Sequence, residues 1–75
     1  MNNERRQKLR NCRRTMETVK SVIENIRDDE DEARDNMPEN LWGSERYEQS
    51  EESSELMDEA IDLIEDAISA IEKAI

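Results

Sequence analysis

Two stretches of this chain carry apolar or small residues, with Glu30 the one exception, at alternating intervals of three and four, and a stretch that breaks helices lies between them. The first runs Leu9, Cys12, Met16, Val19, Ile23, Ile26, Glu30, Ala33, Met37, and the second Ser50, Ser54, Met57, Ile61, Ile64, Ile68, Ile71, Ile75. That rhythm is a heptad seam, which turns one face of a helix toward a partner helix. Between the seams lies "DNMPENLWGSERYE". Pro38 fits an early position of a short turn that Asn36 can cap, with Glu39 three residues after the cap. Gly43 suits a left-handed stop, and Ser44 can cap the next helix with Glu45 in its first turn. The expected fold is all-α: one antiparallel helical hairpin over 1–75, with helices about 3–35 and 45–75 and a turn at 36–44.

Charged residues make up 43% of the chain and the apolar set 33%. Composition alone would also suit a disordered polyelectrolyte, and the unbroken seams decide for long helices. The net charge of −10 is unevenly spread. Arg5, Arg6, Lys8, Arg10, Arg13, Arg14 and Lys20 oppose only Glu4 and Glu17 in the first twenty residues, giving +5 there and −15 in the rest.

Folding the chain about residue 40 sets Leu9 against Ile71, Cys12 against Ile68, Met16 against Ile64, Val19 against Ile61 and Ile23 against Met57. Nearer the turn, Ile26 faces Ser54 and Glu30 faces Ser50. One rim then pairs Arg6 with Glu72, Arg13 with Glu65, Lys20 with Asp58 and Arg27 with Glu51, all opposite in sign. Such exposed pairs contribute only ~0.2–1 kcal/mol each, so they select orientation more than they stabilise. On the other rim Thr15 and Val22 face Ala67 and Ala60, with Lys8 near Ala74 and Asp29 near Ser53. Beside those alanines run Leu56, Leu63 and Ala70.

A second apolar stripe therefore stands outside the seam: Val22 on the first helix, and Leu56, Ala60, Leu63, Ala67, Ala70 and Ala74 on the second. An exposed apolar stripe marks an interface. The expectation is a homodimer that closes a four-helix bundle, the alternative being a groove filled by a foreign helix.

Little in the chain can carry catalysis. There is no His, no cysteine pair and no glycine-rich phosphate loop, so an enzyme, a cofactor and a small-molecule substrate are all unexpected. Cys12 reads as a small hydrophobe on the core seam. The run "RDDEDEARD" lacks the Gly-bearing bend of a calcium loop, and a carboxylate-bridged metal pair would need His, so no metal site is expected. Trp42 and Tyr47 flank the turn glycine. Trp42 is expected to plug the open end over Ala33 and Met37, or, if exposed, to anchor a partner.

Arg10 and Arg14 stay free on the outer face, a weak phosphate patch outweighed by the acidic remainder, so direct nucleic-acid binding is disfavoured. The converse has more support. Asp28, Asp29, Asp31, Glu32, Glu48, Glu52, Glu55, Glu59, Asp62 and Asp66 would form an acidic face able to imitate a phosphate array, although solubility alone explains the same charges. No run of apolar residues is long enough to span a membrane, and the polar N-terminus is unlike a signal peptide. A lone cysteine fits a reducing compartment, so a cytoplasmic setting is expected.

"DNMPENL" followed by "GSERYE", between an acidic arm and an Ala/Ile/Leu-rich acidic helix, resembles a motif of small helical proteins of phages, prophages and mobile elements of Gram-positive bacteria. The resemblance covers most of the chain from Arg27 to Ile75 and is fairly specific between Asp35 and Glu48. Trp42 stands where that pattern has a polar residue. The likeness implies a setting, the cytoplasm of an infected or lysogenic host, and no activity. Small acidic phage proteins often bind and disable host proteins, bacterial immunity nucleases among them. By analogy this implies a host protein partner and an inhibitor, for example an anti-CRISPR protein acting as a DNA mimic.

Overall fold

The computed structural model describes all 75 residues, in two long helices joined by a tight turn. Helix α1 spans Asn3–Asp35 and helix α2 spans Glu45–Ala74, with one turn of 3-10 helix, Glu39–Leu41, between them. Each start is capped by a side chain. Asn2 Oδ1 accepts from the Arg5 amide at 2.8 Å, and Ser44 Oγ accepts from the Tyr47 amide at 3.3 Å.

Gly43 and Ser44 stand as expected, whereas Asn36 does not cap the short turn and Pro38 precedes it instead of standing inside it. The Asn36 amide closes α1 on the Glu32 carbonyl, so Asn36 ends the first helix and Pro38 caps the 3-10 turn. Gly43 alone has a left-handed backbone, at φ 84°. The next amide, Ser44 N–H, donates to the Leu41 carbonyl at 3.1 Å. The amides of Asn36, Met37, Leu41, Trp42 and Ser44 are all bonded within the reversal, which keeps it short.

The helices pack along their length, and α2 presents the expected seam. Ile61 and Ile68 are buried, Ser50 and Ser54 are buried nearer the turn, and Met57, Ile64, Ile71 and Ile75 are partly covered. On α1 the expected seam is only half right. Leu9, Met16, Ile23, Glu30 and Met37 turn toward α2, but their covered companions are Arg6, Arg13, Lys20, Arg27 and Arg34. Cys12, Val19, Ile26 and Ala33 are exposed, contrary to the core role their spacing suggested. Helix α1 is thus rolled about its axis by roughly 50°, half of one residue step. The cause lies in the cations: their aliphatic stems cover the seam, while the heads of Arg13, Lys20 and Arg27 reach carboxylates of α2 and that of Arg34 reaches its serines.

The expected rim pairs are also corrected. Arg13 meets Glu72 at 3.9 Å, Lys20 meets Glu65 at 3.3 Å, and Arg27 meets Asp58 at 2.8 Å. Each cation reaches the carboxylate one heptad farther along α2 than folding about residue 40 places it, and Arg6 has no acidic partner. Part of that heptad comes from the roll of α1; the seam itself is displaced by about four residues, which puts Met16 level with Ile68 and Ile23 level with Ile61 in place of the facing pairs expected. This stagger also explains a molecule 60 Å long, when a helix the length of α1 measures about 50 Å. The first turns of α1 project past the end of α2.

Candidate functional site

A polar cluster occupies the turn end of the seam. Asp31 and Arg34 project from successive turns of α1 and share an ion pair at 2.8 Å. The Ser54 hydroxyl donates to Asp31 Oδ1 and accepts from Arg34 Nη1, at 2.6 and 2.9 Å. The Ser50 hydroxyl donates to Glu30 Oε2 at 2.6 Å and accepts from the same guanidinium nitrogen at 3.2 Å. The Ser54 hydrogen bond, followed by the Arg34 guanidinium, holds the Asp31 carboxyl below the usual aspartate range. The same pairing raises Arg34 above its ordinary value, and hydrogen bonds to Asp58 and Asp28 raise Arg27.

No buried polar side-chain atom lacks a partner. Glu30 faces Ser50 as the sequence placed it. The remaining members of the cluster were not anticipated, although two serines on an otherwise apolar seam signal polar partners opposite. The cluster has no histidine, no unpaired nucleophile and no convergence of three potential metal ligands, so its groups serve one another.

Around Ala33, Met37, Pro38 and Leu41 lies an open hollow of about 620 Å³, with Arg46 at its lip. Trp42 does not plug it. The indole is half exposed, its N–H donating to the Met37 carbonyl at 3.0 Å, and its ring lies 6.2 Å from that of Tyr47. Tyr47 is partly covered.

The larger feature is the face opposite the ion pairs. Because Arg13, Lys20 and Arg27 tie one edge of the hairpin to Glu72, Glu65 and Asp58, helical geometry assigns the other edge to one heptad strip per helix. From α1 it receives Cys12, Val19 and Ile26 with Thr15 and Val22, and from α2 Ala60, Ala67 and Ala74 with Leu56, Leu63 and Ala70. Val19, Val22, Ile26, Leu56 and Leu63 are 45%, 51%, 52%, 56% and 61% exposed, whereas Ile61 and Ile68 are the only buried apolar residues. Five large aliphatic side chains are thus left open on this face, while only Ile61 and Ile68 of the seam are fully buried. Ala60 and Ala67 are partly covered at the margin of the seam, while Ala70 and Ala74 are open. The roll of α1 thus enlarges the stripe read from the sequence by adding Val19, Ile26 and Cys12 to it.

On the outer side of α2, Glu55, Glu59, Asp62 and Asp66 follow one another on a single face, all exposed and none in an ion pair. No cation interrupts α2 between Arg46 and Lys73. At the far end Arg5, Arg6, Arg10 and Arg14 have no carboxylate partner, while Lys8 bridges to Glu4 at 3.4 Å. No helix is long and apolar enough to cross a membrane.

Fold and surface together define a two-helix hairpin with one edge closed by charge and one face apolar and open. No family model, curated protein or solved structure matches the chain.

Proposed function

We propose that this chain is a non-enzymatic protein-binding module: it self-associates through its open apolar face and uses the acidic outer face of α2 to occupy a basic site on a nucleic-acid-handling or defence protein. The observation that carries the first half is the row of five large aliphatic side chains left exposed on a single face, beside a seam that fully buries only two isoleucines and covers the rest in part. A chain of 75 residues has no second core to draw on, and an uncovered patch of this kind is the mark of an interface. The second half rests on the unpaired row Glu55, Glu59, Asp62 and Asp66. Carboxylates at helical spacing on a rigid rod place negative charge in a line, and a groove built for phosphates attracts such a line. The phage or mobile-element setting comes from the motif resemblance alone.

The test is a capture experiment from the natural host with immobilised wild-type chain and the triple variant Glu59→Lys, Asp62→Lys, Asp66→Lys. The inhibitor reading expects a partner that the wild type retains, that DNA or RNA displaces, and that the variant loses with steep salt dependence. Retention of the same proteins by both chains removes the acidic face from the mechanism and leaves a scaffold whose charges serve solubility.

A further inference from the structure

We infer that the cover of the apolar face is a second copy of this chain turned end for end, related by a two-fold axis that crosses α1 at Val19 and α2 level with Glu65. The inference rests on the self-association proposed above and adds its geometry. The level is set by the 3.3 Å ion pair between Lys20 and Glu65, which places Val19 beside that turn of α2.

About Val19 the outer strip of α1 is its own complement. Cys12 and Ile26 lie one heptad to either side, so each meets the other's counterpart across the axis, and Thr15 likewise meets the partner's Val22. Farther out the strip is basic at one end and acidic at the other. Lys8 comes opposite the partner's Asp29, and Arg5 comes beside the partner's Glu32; symmetry makes each pair twice. Asp29 has no partner within the hairpin, and Lys8 has only Glu4 on its own exposed turn. About the same level, α2 sets large against small: Leu63 against the partner's Ala67, and Leu56 against the partner's Ala74. Leucines spaced to meet alanines pack two helices closely without collision. Two strips that share no residue are both self-complementary about one axis.

The other closed arrangement places both turns at one end and α1 on the partner's α2. It brings Asp29 and Glu32 of one copy beside Glu52 and Glu55 of the other, with no cation between, and stacks leucine on valine and isoleucine at one end and alanine on threonine and cysteine at the other. Charge and shape both oppose it.

The native Cys12 supplies the probe. With Ile26→Cys in the natural chain and mild oxidation by diamide, each pair of thiols loses two hydrogens to the oxidant and forms a disulfide between Cys12 of one copy and the new thiol of the other. The expected result is a covalent dimer on a non-reducing gel, absent from wild type and from the variant carrying both Ile26→Cys and Cys12→Ser. Both positions are exposed in the hairpin, so its own seam is untouched. Sedimentation run alongside separates two failures. Dimer mass without the cross-link, or a cross-link that survives Cys12→Ser, overturns the end-for-end geometry alone. Monomer mass for the wild type at cross-linking concentration overturns self-association as well. Lys8→Asp should weaken the dimer several-fold, and adding Asp29→Lys should restore it by rebuilding the pair in reverse.

Discussion

Arg34 shows how one residue can fix a register. Its guanidinium reaches Ser50, Ser54 and Asp31 at once, and each serine hydroxyl in turn donates a hydrogen bond to a carboxylate of α1. Arg34 has five N–H donors in a fixed fork, so lysine cannot reproduce the arrangement. The Asp31 carboxyl is held low, and the sign of its contribution follows. Its stability is fully present above the unfolded value of ~3.9 and is lost as pH falls through that value toward the depressed folded one. Comparing thermal midpoints of wild type and Asp31→Asn across pH should show the wild type ahead at neutral pH and the gap closing in acid. A gap that stays constant, or widens, on acidification would contradict the assignment. Ser54 is 6% exposed and touches both members of the pair, so Ser54→Ala should lower stability by about 1 kcal/mol in urea unfolding.

At the scale of the element, the turn was legible and the contact face of α1 was not. Gly43 and Ser44 have backbone preferences strong enough to act without tertiary help and stand where those preferences put them, whereas Asn36 closes α1 instead of capping the turn and Pro38 lies just before it. Gly43 provides a direct check. A Cβ there would touch nothing within 4 Å, so the whole effect of Gly43→Ala is the strain of a left-handed backbone at φ 84°. The expected loss is about 1–2 kcal/mol, read by chemical unfolding. A neutral result would mean the turn re-forms with another backbone.

The roll of α1 was hidden for a different reason. Apolar spacing ranks Cys12, Val19 and Ile26 above Arg13, Lys20 and Arg27, yet long cations cover apolar surface well while their heads stay in water. The stagger was hidden because cations recur every seven residues on α1 and carboxylates every seven on α2. Two alignments one heptad apart look equally complementary on paper. Arg34 with its two serines breaks the tie, since only the observed stagger gives that charge its partners.

For the whole molecule, the decisive quantity is what changes when an exposed leucine is made polar. Leu63 is 61% exposed in the hairpin, and in an isolated hairpin Leu63→Gln should move stability by no more than about 0.5 kcal/mol, since both residues are good helix formers. In a dimer closed through this face the same substitution removes a buried leucine from each copy, about 1.5–3 kcal/mol per side chain. Ala67→Glu acts on the same seam by a harsher route, placing a carboxylate against the partner's Leu63, and should give monomers or unfolded chains. Protein concentration separates the two states of the wild type without any substitution. Because association stabilises only the folded form, the thermal midpoint of a dimer must rise with concentration, whereas that of a lone hairpin is fixed. The expected pattern is a wild-type midpoint that falls over a hundredfold dilution series and a Leu63→Gln midpoint that is lower throughout. A flat series with unaltered Leu63→Gln stability would mean that two buried isoleucines and a polar cluster suffice, and the open face would then need another explanation.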